Sequence, residues 1–365
     1  ATYSADLLTC MAILTTLDGA DVEKVKYGRV EAFRALDRLR DKVRICHQAG
    51  RISKRDGSKF PSLALLDRIL VPIRLPTGSF HPKVWLVRQV NDEAQERFVL
   101  VVGSRNATTS TDWDLGIVLE GFVGGNGVSL PRIREFVAHV SQLAGDPGRL
   151  ERFGKLDEVR WVLPRYVTEM DFDYQAGGAY NRRMHPVWQS FSGPYERLLL
   201  LSPFIDDEMV ARAARQWPNV GVRRLVAGDE GLRKVALGPQ RAALQYLEPR
   251  QMVSSLGVPD ELEDDESQSE EEKEQVRPLH AKVIALDDGR RATLVIGSNN
   301  LIASGWLGTS TEAFIKLVGP SALGEFLWQW ATSHAEDFAF PEIGTEPPET
   351  HELERVRDDL HAIVL

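Results

Sequence analysis

Residues 277–300 read RPLHAKVIALDDGRRATLVIGSNN, and this stretch decides the fold that we expect. It contains His280-x-Lys282, an apolar run, and a Gly-Ser-Asn-Asn sequence that ends at Asn300. Alternate side chains of a strand point to the same face, so His280 and Lys282 should lie side by side. A turn that returns the chain can bring Asn300 alongside them. The stretch therefore predicts one His, one Lys and one Asn together at the edge of a strand pair.

The same pattern occurs earlier in the chain. Residues 81–106 begin with His81-Pro-Lys83 and end with Gly-Ser-Arg-Asn106, and they have five more residues between the His and the Asn than the later copy. Either part alone is uninformative, because Gly-Ser-x-Asn is an ordinary turn sequence and His-x-Lys is common by chance. Joined in this order and present twice, the parts predict two copies that face each other across one pocket.

The residue types indicate phosphoryl chemistry. A neutral imidazole can attack phosphorus, and a second, protonated imidazole can donate a proton to the leaving oxygen. The ammonium groups of Lys83 and Lys282 and the amides of Asn106 and Asn300 supply donors for the charge that develops on the phosphoryl oxygens. This chemistry requires no metal ion and no cofactor.

On these motifs the chain resembles the phospholipase D superfamily, whose signature is His-x-Lys, four residues, Asp, and then Gly-Ser-x-Asn, present twice or assembled from two chains. The second copy matches it in full, with Asp287 at the motif Asp, whereas the first copy has Arg88 there. The motif Asp is considered more structural than catalytic in this family. A further acid helps to hold the opposite imidazole, and the resemblance implies this orienting role for Asp114 and Glu312.

The family resemblance also implies a mechanism. His81 would attack the phosphodiester and form a covalent phosphohistidine, while His280 protonates the departing oxygen and later activates water. The two roles could be exchanged, because the second motif is the better match. Ser104 and Ser298 are expected to orient neighbouring groups and not to attack.

Duplication extends beyond the motifs, and such repeats usually decide an architecture. Residues 12–18 (ILTTLD after Ala12) resemble residues 198–206 (LLLLSPFID), which predicts an apolar strand that ends at an acid in each half. A chain of 365 residues has room for two cores. We therefore predict an α/β fold of two similar domains, 1–168 and 169–365, each a mixed sheet flanked by helices, forming a pseudo-twofold pair.

The charge is unevenly distributed. The net charge is −9, and residues 260–274 account for all of it with ten acids and one Lys. We expect a disordered acidic insertion over about 258–276, either solubilising or occupying a basic groove as a nucleic-acid mimic. Residues 29–59 contain ten Lys or Arg against four acids, and form either a phosphate-binding cluster or a solvated helix face. The candidate nucleic-acid-binding residues are Arg34, Arg38, Arg40, Arg44, Arg51, Lys54 and Arg55.

Several classes of protein are disfavoured by the sequence. Its two cysteines have no metal-ligand spacing, which argues against a zinc site and a disulfide framework. It has no apolar run long enough for a membrane span, and no basic segment precedes an apolar run near its start. These features predict a reduced, cytoplasmic protein that does not bind membranes.

The motifs do not name the substrate, because superfamily members act on phospholipids, polyphosphate, DNA and RNA. The basic segment and the lack of lipid-targeting features favour a DNA nuclease, resembling the phospholipase D-like nucleases of bacterial restriction and anti-phage defence. A helicase or another defence-system protein would then be a partner. Two alternatives stay open: a non-catalytic nucleic-acid-binding subunit of a helicase–nuclease complex, and a lipid phosphodiesterase or phosphatidyl transferase.

Overall fold

A computed structural model of the chain describes residues 1–19, 29–53, 66–191, 193–252 and 277–342. In chain order the strands are β1 (Ala5–Asp6), β2 (Ile45–Gln48), β3 (Ile52–Ser53), β4 (Leu70–Ile73), β5 (Val84–Val90), β6 (Glu96–Gly103), β7 (Gly116–Val123), β8 (Val159–Trp161), β9 (Glu169–Gln175), β10 (Arg197–Ser202), β11 (Val222–Ala227), β12 (Pro249–Met252), β13 (Val283–Asp287), β14 (Arg291–Gly297), β15 (Glu312–Pro320) and β16 (Ala335–Asp337). The α-helices are α1 (Leu7–Leu17), α2 (Arg29–Leu39), α3 (Arg132–Leu143), α4 (Asp207–Gln216), α5 (Asp229–Leu237), α6 (Arg241–Tyr246), α7 (Ala303–Trp306) and α8 (Glu325–His334). Short 3-10 helices occupy Pro147–Phe153, Leu156–Glu158, Pro186–Ser190 and Ser321–Leu323.

The second half of the chain is built on an eight-stranded mixed sheet with the order β16-β12-β11-β10-β13-β14-β15-β9. Strands β10, β11 and β12 are parallel, whereas β13, β14, β15 and β9 are antiparallel to their neighbours. Met209, Leu232 and Leu244, from α4, α5 and α6, belong to the apolar cluster on one face of this sheet. Because the strands are covered, β10 and β13 are almost continuously apolar. The predicted α/β class, with a mixed sheet flanked by helices, is confirmed.

The first half places its motif in a four-stranded antiparallel sheet with the order β5-β6-β7-β8. Strands β5, β6 and β7 correspond to β13, β14 and β15. In each half the first two of these strands form the hairpin that connects His-x-Lys to Gly-Ser-x-Asn. Two small parallel sheets, β1-β3 and β2-β4, lie beside it.

One apolar core joins the two motif sheets. Phe98, Leu100 and Val102 of β6 are buried in the same cluster as Leu294 and Ile296 of β14. Burial of a side chain of this size is worth about 1.5–3 kcal/mol, so the shared cluster holds the two sheets firmly together. The domain bounds 1–168 and 169–365, and their pseudo-twofold relation, stay predictions.

The predicted strand at 12–18 is wrong. Leu7–Leu17 form helix α1, and the Asp6 side chain caps it by accepting a hydrogen bond from Thr9 N at 2.9 Å. An apolar run of this kind suits a buried helix as well as a buried strand. The cap at Asp6, which satisfies one of the free N–H groups of the first turn, favours the helix.

The two halves do share a repeated segment, but with a different alignment from the predicted one: residues 2–6 correspond to 202–206. Each segment ends at an Asp that caps a helix, α1 or α4. The backbone N–H of that Asp donates to the carbonyl of the residue after the motif Asn, to Ala107 at 2.8 Å and to Leu301 at 3.2 Å. These bonds anchor each Gly-Ser-x-Asn turn to the start of its own half.

Candidate active site

Each His-x-Lys segment lies just before a strand and is anchored by the opposite half of the chain. The N–H of His81 donates to Thr311 O at 2.9 Å, and the N–H of His280 donates to Trp113 O at 2.8 Å. Thr311 and Trp113 each directly precede one of the two predicted acids. These backbone hydrogen bonds therefore place each imidazole beside the acid of the other half.

Two reciprocal His–carboxyl pairs form the centre of the site. His81 Nδ1 lies 3.0 Å from Glu312 Oε2, and His280 Nδ1 lies 2.7 Å from Asp114 Oδ1. A carboxyl group at Nδ1 orients the ring and, where it accepts the Nδ1 proton, leaves the Nε2 lone pair for reaction. Lys83 Nζ also lies 3.2 Å from Nδ1 and 3.0 Å from Nε2 of His81. The structure thus brings each acid to the opposite imidazole. The catalytic roles of these four residues stay predictions.

The motif serines hold the acids. Ser104 Oγ donates to Asp114 Oδ1 at 2.8 Å, and Ser298 Oγ donates to Glu312 Oε2. Each hydroxyl also accepts the backbone N–H of the residue after the acid, at 3.0 Å in both halves. Both serines are buried. These contacts fit the predicted orienting role.

The amino groups of the two motif lysines are buried. Lys83 Nζ lies 3.0 Å from His81 Nε2, and Lys282 Nζ donates to His280 O at 2.6 Å. Burial lowers the pKa of Lys83 well below its ordinary value and lowers the pKa of Lys282 to about 7. An anion that arrived in the site would stabilise the charged form of both side chains.

The motif asparagines complete the set of donors. Asn300 is buried and Asn106 is half-buried. Their Oδ1 atoms are both shielded from solvent and have no hydrogen-bond partner in the part of the chain that the structure describes. Buried polar groups normally have a partner, and an amide oxygen accepts, so these Oδ1 atoms fit a ligand or water that donates a hydrogen bond. Donation from the two amide nitrogens to phosphoryl oxygens stays a prediction.

The two acids differ in protonation. Burial raises the pKa of Glu312 to about 8. Burial opposes ionisation of Asp114 as well, but hydrogen bonds from His280 and Ser104 outweigh it and hold the pKa of Asp114 below its usual value. At neutral pH the carboxyl beside His81 is therefore protonated, whereas the carboxyl beside His280 is charged.

The imidazoles follow the same asymmetry. Burial, with Lys83 and Lys282 close by, holds the pKa of His81 well below its usual value. Burial also lowers the pKa of His280, but the hydrogen bond to ionised Asp114 acts in the opposite direction. His81 is thus the neutral base, and His280 is the ring with an anion to stabilise its protonated form.

Replacing Lys282 with Met should stabilise the fold and destroy the site. Between about pH 7 and pH 10.4 the unfolded chain holds a proton on Lys282 that the folded protein has released, so the unfolding free energy of the wild type rises with pH over this range. We expect Lys282→Met to gain about 1–3 kcal/mol at pH 7, and this gain to shrink towards pH 10. Urea unfolding of wild type and variant at pH 7 and pH 10 measures the gain. A variant with a lower unfolding free energy than wild type at pH 7 would contradict the prediction.

The motif Asp of the second half lies away from the imidazoles. Asp287 ends β13, seven residues after His280, and its buried carboxylate accepts hydrogen bonds from Arg197 Nε at 3.2 Å and from Gly289 N at 2.7 Å. The Arg88 that replaces it in the first half pairs instead with Glu96 Oε1 at 2.9 Å. The departure from the family signature therefore exchanges one remote ion pair for another and leaves the first His-Lys-Asn set intact.

Replacing Asp287 with Ala should cost stability and spare the chemistry. The variant leaves the half-buried Arg197 without its main acceptor, so we expect the unfolding free energy to fall by about 2–4 kcal/mol. Activity per folded molecule should stay within about threefold of wild type, because the turnover groups lie at the other end of the strand. Urea unfolding measures the free energy of unfolding. Steady-state kinetics, corrected for the folded fraction, measure the activity per folded molecule. A loss of activity without a loss of stability would show that Asp287 acts in the reaction.

The predicted nucleic-acid-binding residues have different surroundings. Arg34 and Arg51 are exposed and have no carboxylate partner within the described ranges. The others that the structure describes are engaged internally: Arg38 pairs with Asp18 at 2.8 Å, Arg40 lies 3.1 Å from Asp37, and Arg44 donates to Arg40 O at 2.7 Å. Lys54, Arg55 and the acidic insertion 258–276 lie outside the described residues. A nucleic-acid-binding role stays a prediction for the whole set.

The sequence motifs did not predict two residues that lie at the site. The Tyr3 ring lies edge-on to the His81 imidazole with 4.8 Å between centroids. Trp113, whose carbonyl holds His280, packs its ring against Trp330 at 5.6 Å. The place of Trp113 directly before a candidate acid was an available signal. Tyr3 is remote from both motifs in the sequence and gave no signal.

Two negative observations apply to the described ranges. No three His, Cys, Asp or Glu side chains are grouped there in a way that could hold a metal ion. None of the helices within those ranges combines the length and the apolar character that a bilayer crossing needs.

Comparison with known proteins finds distant likenesses among solved structures. No family model and no curated protein sequence matches the chain. A mutant of yeast tyrosyl-DNA phosphodiesterase is 13% identical with a TM-score of 0.44, covering 74% of this chain and 75% of its own. A phosphatidylserine synthase from Haemophilus influenzae is 11% identical with a TM-score of 0.45, covering 91% and 84%. Nuc, a phospholipase D family member from Salmonella typhimurium, is 18% identical with a TM-score of 0.27, covering 47% and 99%.

Two reciprocal His–carboxyl pairs, each with its own Lys, Ser and Asn, define a duplicated site suited to handling a phosphodiester. The structure brings both motifs together in the way that the resemblance to the phospholipase D superfamily predicts. The finer likeness to nucleases of bacterial defence systems stays a prediction.

Proposed function

We propose that the protein is a metal-independent phosphodiesterase that cuts DNA through a covalent phosphohistidine. The observation that carries this proposal is the crossed pairing of His81 with Glu312 and of His280 with Asp114. Each pair places an oriented imidazole at a site that contains two buried lysines and the amides of buried Asn300 and half-buried Asn106. Such an arrangement suits one nucleophile and one proton donor acting on the same phosphorus.

In the first step His81 Nε2 attacks phosphorus, so that an N–P bond forms as the P–O bond to the leaving group breaks. His81 is suited to attack because burial keeps it neutral. His280 gives its proton to the departing oxygen, and ionised Asp114 stabilises the protonated ring beforehand. The lysine and asparagine donors stabilise the charge on the nonbridging oxygens.

In the second step water replaces the histidine. His280, now neutral, removes a proton from a water molecule that attacks phosphorus, and the N–P bond breaks. This returns His280 to its protonated form and His81 to its neutral form. One pair of rings thus serves both halves of the reaction, with the acid of the first step acting as the base of the second.

The choice of nucleic acid rests on charge. Arg34 and Arg51 are exposed cations in a segment that has more basic than acidic residues, and free guanidinium groups bind backbone phosphates. DNA is the substrate that we favour. A role in restriction or anti-phage defence, a helicase or other defence-system partner and a cytoplasmic location stay predictions.

The test is cleavage of end-labelled single-stranded DNA, duplex DNA and RNA in EDTA. A variant with both His81→Ala and His280→Ala serves as the blank, because it removes both reactive rings. We expect wild type to cut DNA in EDTA and the blank to leave it intact. Cutting that EDTA stops and Mg²⁺ restores would overturn the metal-independent mechanism. Headgroup release from phosphatidylcholine vesicles, without DNA cutting, would identify a lipid phosphodiesterase instead.

A further inference from the structure

An arginine lies over an aromatic ring beside the active site. Arg51 Cζ lies 5.5 Å from the centroid of the Tyr3 ring, over its face. The same ring lies 4.8 Å from the His81 imidazole and 5.8 Å from Lys83 Nζ. Tyr3 is half-buried, whereas Arg51 is exposed. The ring thus links the surface guanidinium to the two catalytic candidates of the first half.

The backbone holds this pair in place. Gln48 N donates to Tyr3 O at 3.1 Å, and Arg51 N donates to Gln48 O at 3.1 Å. Arg51 O in turn accepts from Ala5 N at 3.0 Å. Gly50, with φ of 79°, allows the tight turn between them. Arg51 therefore projects from a fixed backbone position, which lowers the entropy that a bound anion must remove from it.

Arg51 is also available for a ligand. No carboxylate pairs with it in the part of the chain that the structure describes. Its cation–π contact with Tyr3 orients the guanidinium without neutralising its charge. Arg38, from the same basic segment, is already paired with Asp18. The positive charge of Arg51 is therefore available to bind an anion next to the reaction centre.

The described residues of the second half have no equivalent of the Tyr3–Arg51 pair. Residues 2–6 correspond to 202–206, so the counterpart of Tyr3 is Pro203. Its carbonyl accepts from Gly228 N at 3.2 Å, as the carbonyl of Tyr3 accepts from Gln48 N. A proline has no aromatic face on which a guanidinium can rest. Among the described residues, the His280 side therefore has no guanidinium–aromatic pair that matches Arg51 and Tyr3.

We propose that Arg51, resting on the Tyr3 ring, binds the phosphate next to the scissile phosphate of a nucleic-acid strand. This subsite rests on the proposed function and names a specificity residue for it. It selects a chain of phosphodiesters over an isolated one, because a single phosphodiester cannot reach both the lysines and Arg51. Because this guanidinium–aromatic pair lies on the His81 side, a strand that uses it enters in one direction.

The test uses paired small substrates that release p-nitrophenol. Thymidine 5′-(p-nitrophenyl phosphate) is compared with and without a 3′-phosphate, and thymidine 3′-(p-nitrophenyl phosphate) with and without a 5′-phosphate. We expect the extra phosphate to raise kcat/KM about 10- to 100-fold in one pair only, mainly through KM. Arg51→Ala should remove that gain, and Arg51→Lys should restore part of it. A gain in both pairs, a gain in neither, or a gain that Arg51→Ala retains overturns the proposal.

Binding separates failure of the subsite from failure of the proposed function. If wild type releases no p-nitrophenol from any substrate, the proposed hydrolysis fails, and fluorescence anisotropy of a labelled oligonucleotide then tests Arg51 alone. We expect Arg51→Ala to weaken binding about tenfold and to reduce the slope of log Kd against log salt by about 0.7 to 0.9. An equal loss for Arg34→Ala would show diffuse attraction and overturn the subsite. No binding by wild type would overturn both proposals.

Discussion

Replacing His280 with alanine is expected to trap the enzyme in its covalent state, whereas replacing His81 is expected to remove that state. His280→Ala lacks the proton donor, so cleavage of DNA, whose leaving group is an alcohol, should fall by about 10²- to 10⁴-fold. A p-nitrophenyl ester needs no such donor. With this substrate the variant should release one equivalent of p-nitrophenol in a burst and then stop, because it also lacks the base that activates water.

His81→Ala should show no burst with either substrate. The loss of the nucleophile removes the covalent route, so we expect a fall of at least about 10⁴-fold, as large as the largest general acid–base effects. Stopped-flow release of p-nitrophenol measures the burst. Intact mass after base quenching identifies the adduct, because a phosphorus–histidine bond survives base and breaks in acid. A burst in His81→Ala and none in His280→Ala would exchange the two roles.

The second large effect is expected at Asp114 and not at Glu312. Asp114 is ionised at neutral pH, and its oxygen lies 2.7 Å from His280 Nδ1. Asp114→Asn removes the charge that favours the protonated ring, so we expect a loss of about 10²- to 10⁴-fold. The pKa of His280 should fall in this variant. Because His280 must be protonated to act as the acid, the decline of kcat with rising pH should move to lower pH.

Glu312→Gln is the matched control. Burial raises the pKa of Glu312 to about 8, so at pH 7 the wild-type side chain is already neutral and Gln has nearly its shape and polarity. We expect a loss of less than about tenfold at pH 7. The ratio of wild-type to variant activity should grow as pH rises through about 8, where only the wild type gains a carboxylate beside His81. Equal losses for Asp114→Asn and Glu312→Gln at pH 7 would contradict the asymmetry.

Features of the site that depend on residues close together in the chain could be predicted from the sequence. The two His-Lys-Asn sets could be read from the sequence, because each consists of residues joined by one hairpin and a short turn. The acids Asp114 and Glu312 could also be predicted from the sequence, because they follow their own motifs at similar distances. The strand predicted at 12–18 was wrong, because an apolar run does not specify its partner. The Asp6 cap and the tertiary contacts around it favour the helix.

The sequence by itself thus determined the residue types of the site, the presence of two copies and the α/β class, because periodicity and motif spacing are local properties. Only the tertiary structure decided which acid meets which imidazole, since those contacts join residues of opposite halves. Burial raises the pKa of Glu312, whereas at Asp114 the hydrogen bonds from His280 and Ser104 outweigh burial and lower the pKa. The place of Tyr3 beside His81 and the free charge of Arg51 likewise came from packing, because neither residue is near a motif in the chain.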